Sequence, residues 1–436
     1  MTIIHERRRR AIMDLMGEGI AIIPTAPESQ RNGDVHYPFR PDSDFYYVTH
    51  FPEPQAVAVL IPGRAEGEFV LFCRESNPEQ ETWHGRRAGL EGARNNFDAD
   101  DAFPIEDIGD ILPGLIENRP KIYYNLGRYA DFDKRLLRWI GEVKSKVRSG
   151  ISAPEELVDL GHILHELRLI KQREEIRHMK RAAQVSAAAH RRAMTTCHPG
   201  MTEGQVQAEL EYEFGRGGAK SWAYPSIVAG GANACILHYT ENADVLNDGD
   251  LLLIDAGAEI DCYAADITRT FPVNGRFTPE QQALYEVVLA SQLAAIDRVR
   301  PGQSWNDPHE AAVVVLTQGL IELGLLSGNV DQCIEDGAYR RFYMHRTGHW
   351  LGLDVHDVGE YKIDNAWRML ENGMVLTVEP GLYITAGKDV DQRWHNIGIR
   401  IEDDVLVTST GAEVLTGDVP KRPADIEALM ATERVN

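Results

Sequence analysis

The sequence predicts an α+β protein in which an N-terminal mixed α/β domain, residues 1–168, precedes a larger domain, residues 169–436, built of two related halves. Three observations lead there. Short apolar runs of strand type ("IAIIP", "AVAVLIP", "EFVLFC", "KIYYNLG") recur between residues 20 and 125, separated by Pro, Gly and acidic turns and followed by helical patterns such as "DKRLLRWIGEVKSKV". A long segment rich in Ala, Leu, Arg and Glu then starts near "LVDLGHILHELRLIKQREEIRHMKRAAQ" and ends at Pro199-Gly200, with the domain boundary in its first third. Beyond it the chain repeats itself. "LNDGDLLLIDAG" (246–257) lies over "LENGMVLTVEPG" (370–381) so that Asp255 falls on Glu379, and the helix starts "PGMTEGQ" and "PGQSWND" recur in the same order about a hundred residues apart.

In chain order, "HERRRRAIMDLMGEG" has the basic cluster of a signal peptide. Asp14 and Glu18 interrupt the apolar stretch such a peptide needs, so the segment reads as an amphipathic surface helix. Thr202, with Gln205 three residues on, forms a capping box opening a helix over 203–214. "FTPEQQALYEVVLASQLAAIDRVRPG" repeats the device with Thr278, adds Pro279 at the first helical position and stops at Pro301-Gly302, after which "PGQSWNDPHEAAVVVLTQGLIELGL" starts another helix. The 45 basic and 67 acidic residues give a net charge of −22, which repels nucleic acid and anionic membrane alike. No run approaches the ~20 apolar residues of a spanning helix. The five cysteines (Cys73, Cys197, Cys235, Cys262, Cys333) lie far apart without a CxxC pair, so neither a disulfide framework nor a thiolate zinc site is indicated and a reducing cytoplasm is expected.

The chemistry gathers in the second domain. Asp255 ends one apolar strand and Asp266 lies on the next, eleven residues on, a spacing that lets a hairpin return the two side chains to one place. Burying an ionised carboxylate without a partner costs several kcal/mol or drives it to neutrality. For any one of these acids a salt bridge to Arg269 or Arg400 is the ordinary solution. If Asp255 and Glu379 end equivalent strands of facing halves, however, their charges converge and demand a cation. Glu402, in "HNIGIRIEDDVLV", lies on the Gly398 and Arg400 face of its strand, opposite Ile397, Ile399 and Ile401. "MHRTGHWLGLDVHDVGEY" adds His345, His349 and His356, a set that a solvated loop would also explain. Four carboxylates with one imidazole suit two hard or borderline divalent ions such as manganese, whereas structural zinc favours thiolates or more imidazoles.

The segments "IDAG…ADITRTFPV", "HRTGHWLGLDVHD", "VEPGLYI" and "GIRIEDDVLVT", with "PDSDFYYVTHFPEPQAVAVLIPG" and "ETWHGRRAG" in the first domain, resemble the M24 metallopeptidases of the pita-bread fold, in particular the aminopeptidase P group. The similarity runs over nearly the whole chain. It implies five metal ligands, Asp255, Asp266, His349, Glu379 and Glu402. Asp266 and Glu402 would bridge two ions, with Asp255 on one and His349 and Glu379 on the other; manganese is the implied metal, with cobalt or zinc as substitutes. The implied activity is that of an Xaa-Pro aminopeptidase, in which a metal-bridging hydroxide cleaves the bond between an N-terminal residue and a penultimate proline. Glu379 would carry the proton and His356 would stabilise the developing oxyanion. His238 (in "CILHYTEN"), His345, His356 and Arg400 match residues around the substrate. Tyr224, Tyr383 and Trp83 match aromatic elements of a proline-accepting pocket, Trp83 from a neighbouring subunit, and Arg148 a positive residue meeting an extended substrate. The implied partners are a peptide with proline second and further copies of the chain, as a dimer or tetramer. Two alternatives share the fold: a prolidase cleaving Xaa-Pro dipeptides, and a pita-bread binding module without catalysis.

Overall fold

The strand runs near the N-terminus pair as their apolar content requires. A computed structural model describes residues 2–432, and the chain divides into two units, Met1–Leu167 and Arg168–Asn436, the division falling inside helix Gly161–Leu169. In the first unit six strands form one sheet in the order Asp101–Pro104, Phe69–Cys73, Val57–Leu60, Ile20–Pro24, Lys121–Tyr123, Glu156–Val158. Val57–Leu60 is antiparallel to both of its neighbours, and the other strands join in parallel. Val57–Leu60 and Phe69–Cys73 are buried at every position, which is why these runs read as continuous rather than alternating. Helices Ile108–Ile116 and Ala130–Ser145 supply Leu112, Ile116, Leu136 and Trp139 to the core that holds Ile20, Ile22, Val59 and Phe72.

Two expectations need correction here. Helix Thr2–Met16 forms, but Arg8 and Arg9 are not on a solvated face: each is 3% exposed. Their guanidiniums donate to the carbonyls of Tyr47 and Val48 at 3.1 Å, near the C-terminus of helix Ser43–Thr49, and lie over the Tyr47 and Phe69 rings. The basic cluster therefore satisfies carbonyls that helix end leaves without intrahelical partners. The helical onset placed near Leu157 is also early by a few residues: the helix begins at Gly161, because Glu156–Val158 is an edge strand paired with Lys121–Tyr123.

In the second unit, helix Arg173–Thr196 starts on a Gln172–Glu175 capping box. Helix Glu203–Arg216 follows on the Thr202–Gln205 box and helix Pro279–Ile296 on the Thr278–Gln281 box, the latter ending five residues before Pro301. Each box satisfies N–H groups that have no carbonyl inside the helix. Thr278→Ala is expected to lower stability by about 1 kcal/mol with the fold retained, which a urea unfolding midpoint measures.

The repeat in the sequence becomes two three-stranded sheets. One runs Ile227–Gly230, Leu251–Asp255, Thr268–Pro272; the other runs Val375–Val378, Asp403–Val407, Ala412–Val414. Asp255 is the last residue of its strand and stands opposite Ile227 and Thr268, while Glu379 follows Val378, which stands opposite Asp403. The hairpin Gly381–Ile384 with Ile397–Arg400 leads to Glu402. Val206, Leu210, Leu252, Ile254, Phe271, Leu284, Leu316 and Ile399 share one core. Within it, Arg269 pairs with Asp403 at 2.7 Å, both fully buried, and Lys421, Gln292 and Thr416 also donate to that carboxylate. Against its burial, which alone would raise it, Arg269 and Lys421 hold Asp403 below the usual carboxylate range. Arg269 is thus committed to an acid other than the four of the site. The five cysteines are free thiols, and no helix among the described residues is long and apolar enough to cross a membrane.

Candidate active site

The turn that follows Asp255 brings Asp266 back beside it, as the eleven-residue spacing suggested. One hydroxyl joins them: the Tyr224 OH donates to Asp255 Oδ1 at 2.6 Å and also contacts Asp266 Oδ1. From the other half, His349 Nε2 stands 3.4 Å from Asp266 Oδ2 and 3.7 Å from Glu379 Oε1. Asp266, His349 and Glu402 each offer a ligand atom within 4.8 Å of the others. Asp266 and Glu402 are buried, and Asp255 and Glu379 retain side-chain exposures of only 14% and 18%. All five line one cavity of about 480 Å³.

Electrostatics shows what this crowding costs. Burial and the neighbouring acids raise Asp255 and Glu402, and push Glu379 to about 7. Asp266 runs the other way: against its burial, the hydrogen bond from His349 holds it low, and the same contact lifts His349 to about 9 despite desolvation. Arg400 Nη2 donates to Asp255 Oδ2 at 2.7 Å, so the ordinary salt-bridge solution does hold for that one oxygen. One guanidinium and one imidazole do not balance four acids. An all-carboxylate set with a single imidazole fits hard or borderline divalent cations, and the residues present fit such ions.

The imidazole is oriented for that duty. His349 Nδ1 faces the Trp350 carbonyl oxygen at 3.0 Å, an acceptor, so Nδ1 carries a hydrogen, and Nε2, which without an ion donates to Asp266, is the nitrogen that would offer its lone pair to one. Behind the ligand layer two buried threonines act alike. Thr268 Oγ1 donates to Glu402 Oε2 at 2.7 Å while accepting from Arg400 Nε at 3.1 Å; Thr377 Oγ1 accepts the His349 N–H at 3.0 Å and faces Glu379 Oε1 at 3.4 Å. Asp404, itself buried, accepts the backbone N–H of Asp266. Sequence reasoning missed all three. The visible signal for Asp404 was its place in "GIRIEDDVLVT", two residues after Glu402.

The remaining residues singled out from sequence separate into groups. His238, His345, His356 and Arg400 line the same cavity. His356 stacks edge-on against His349 with ring centroids 4.4 Å apart, and burial followed by that neighbour lowers its pKa. His345 accepts from the Tyr383 OH at 2.8 Å through Nε2, and its Nδ1 meets the Arg346 carbonyl at 2.7 Å. Burial, then Arg400, takes His345 down to about 4, which keeps it the neutral acceptor this geometry requires. Tyr383 is 2% exposed and lies behind the wall, its hydroxyl accepting from Arg400 Nη1 at 3.0 Å. Tyr224 does line the cavity, with its hydroxyl on two acids. Trp83, on the exposed helix Pro78–His84, and Arg148 belong to the first unit and are not on this cavity's wall.

Comparison with known proteins agrees with this geometry. A model of metallopeptidase family M24 matches residues 177–409, and one for the N-terminal domain of aminopeptidase P matches residues 5–123. The chain is 45% identical over 431 residues to the Xaa-Pro aminopeptidase of Escherichia coli (strain K12), covering 98% of each. It matches the structure of Pseudomonas aeruginosa aminopeptidase PepP with a TM-score of 0.97 and 60% identity, over 98% of this chain and 97% of that one. Zinc-substituted E. coli aminopeptidase P in complex with product matches with a TM-score of 0.96 and 45% identity, over 99% and 98%. With both of its halves and nearly its full length accounted for, the chain belongs to metallopeptidase family M24, in the aminopeptidase P group, and carries that family's pita-bread catalytic domain.

Proposed function

We propose that the protein is an Xaa-Pro aminopeptidase, which hydrolyses the bond between the first residue of a peptide and a proline that follows it. The observation that carries this reading is the convergence of Asp255, Asp266, His349, Glu379 and Glu402 on one cavity. In this reading these five residues would hold two divalent ions, manganese by preference. Ions bound there supply Lewis acidity and bring a water toward deprotonation near neutral pH.

The side chains divide the remaining work. Glu379 takes the proton of the attacking water and delivers it to the departing proline nitrogen, as a carboxylate within reach of both can. His356, on the exposed rim, donates to the oxygen that becomes negative. Arg400 and Tyr383 hold Asp255 and His345 in place through the hydrogen bonds described above. A proline leaving group is a tertiary amide with an apolar ring and no N–H. Pro225, Ile227, Leu237 and Val355 give that ring an apolar wall.

Residues 1–168 form the N-terminal domain in this reading, and residues 169–436 the catalytic one. Trp83 is 78% exposed, a large apolar side chain that a neighbouring subunit of a dimer or tetramer would cover. Arg148 is assigned to longer substrates, and the free thiols to a reducing cytoplasm.

The test is release of the first amino acid from an Xaa-Pro-Yaa peptide by the manganese-supplemented protein. Chelator is expected to abolish it and added manganese to restore it, with about two ions per chain by mass spectrometry. Chelator-resistant turnover, or a protein that holds no divalent ion after supplementation, would overturn the reading. Cleavage of Xaa-Pro dipeptides alone would make it a prolidase.

A further inference from the structure

Two guanidiniums stand on the cavity wall, and they are differently engaged. Arg400 is buried and committed to Asp255. Arg346 is exposed, and its side chain pairs with no carboxylate among the described residues: one N–H group goes to the Asn306 Oδ1, and the guanidinium lies 5.0 Å from the centroid of the Trp367 ring. A guanidinium has five N–H donors in a fixed fork, so most of its capacity remains. The neutral amide and the aromatic face hold this arginine in position, and Glu310 acts on it electrostatically without pairing with it.

Its backbone is fixed as well. The Arg346 carbonyl receives His345 Nδ1 at 2.7 Å, the next residue's carbonyl accepts the Glu379 N–H at 2.8 Å, and Thr347 Oγ1 bonds His309 at 2.8 Å. Arg346 precedes His349 by three residues, which at full extension separates the two Cα atoms by at most about 10 Å. Two peptide residues beyond a scissile bond span about 7 Å. Arg346 lines the cavity that holds the five candidate ligands, so a carboxylate two residues beyond the scissile bond would end on a wall that carries this guanidinium.

We infer that Arg346 reads the free C-terminal carboxylate of tripeptide-length substrates, giving the enzyme a preference for short peptides. The inference rests on the aminopeptidase reading of the site and deepens it. An Arg–carboxylate fork is the geometry in which such recognition is strongest. A peptide whose end lies farther out gains nothing from this contact, because its carboxylate has left the guanidinium's reach.

The experiment compares Xaa-Pro-Yaa with the same tripeptide capped as its C-terminal amide, in the manganese-loaded protein. The free acid is expected to win by roughly tenfold in kcat/KM, carried by KM. In Arg346→Ala the ratio is expected to fall to about one, with Arg346→Lys recovering part of it, and a hexapeptide pair is expected to give a ratio near one throughout. A wild-type tripeptide ratio of one overturns the inference. So does a ratio unchanged in Arg346→Ala, including the case where both tripeptides lose turnover equally through structural damage. A hexapeptide ratio as large as the tripeptide's overturns it too, since reach would then play no part. In each of these results the aminopeptidase reading survives. Absence of cleavage of every peptide by the wild-type protein would remove that reading and the inference together.

Discussion

Glu379→Gln is expected to fold as the parent chain does and to lose turnover by roughly two to four orders of magnitude. Glutamine has the same length and shape, and its amide can still meet Thr377 Oγ1, which faces Glu379 Oε1 at 3.4 Å. The backbone contacts of residue 379, including its N–H to the Thr347 carbonyl at 2.8 Å, do not involve the side chain. The substitution also removes one of four mutually repelling acids, so thermal stability should hold or rise in the chelated protein. What disappears is a group that can accept a proton from water and return it to nitrogen. Because Glu379 is also assigned to a metal ion, turnover has to be read beside metal content. Retained metal with lost turnover isolates the proton-carrying role, and lost metal with lost turnover isolates the ligand role. Turnover like that of the parent chain would contradict both assignments.

How much of this site was legible beforehand follows from which contacts are local. Asp255 and Glu379 could be matched because each ends a strand inside a repeated pattern, and strand periodicity with turn residues is written in consecutive positions. Glu402 could be placed on a polar face by counting in twos from Ile397. The capping boxes were equally readable, since both partners lie three residues apart. The second layer was not. Thr268 reaches Glu402 across 134 positions, and Asp266 meets Asp404 across 138. Neither threonine nor a third consecutive acid announces such a pairing, which exists only once the two halves have folded against each other.

Arg8 and Arg9 show the same limit in the first unit. Four consecutive arginines look like a solvated face, yet two of them close the end of a helix some forty residues away. The aromatic residues were legible only in part, for a related reason. Tyr383 and Tyr224 were grouped as pocket rings by resemblance, whereas their hydroxyls make the contacts that position His345, Arg400, Asp255 and Asp266. Ring identity is visible in sequence; the direction of a hydroxyl is set by tertiary packing.

Gly257→Ala is expected to destabilise the protein by about 3 kcal/mol or more and to remove divalent-ion binding with it. The glycine is required here for space rather than for a left-handed backbone. A Cβ built on it would stand 1.7 Å from the Ala265 carbonyl oxygen, a distance that side-chain rearrangement does not relieve because the obstacle is backbone. That backbone is pinned. Ala256 N–H reaches the Ile267 carbonyl at 3.0 Å, Ala265 N–H the Ala258 carbonyl at 3.1 Å, and the Gly257 carbonyl accepts from Ala223 at 2.8 Å. Helix Arg173–Thr196 adds Ser186 Oγ on the Ala258 N–H and His190 Nε2 on the Ala256 carbonyl, each at 2.9 Å. A methyl group must therefore push apart the two backbone segments, at Gly257 and Ala265, that adjoin Asp255 and Asp266, and the acids separate with them. Gly215, in helix Glu203–Arg216, is the matching control: a Cβ there meets nothing within 4 Å, so Gly215→Ala should be neutral or stabilising by up to about 1 kcal/mol. Urea midpoints and manganese titrations of the two variants measure both effects. If Gly257→Ala binds manganese and unfolds like the control, the close approach of these strands is not what holds the two aspartates together.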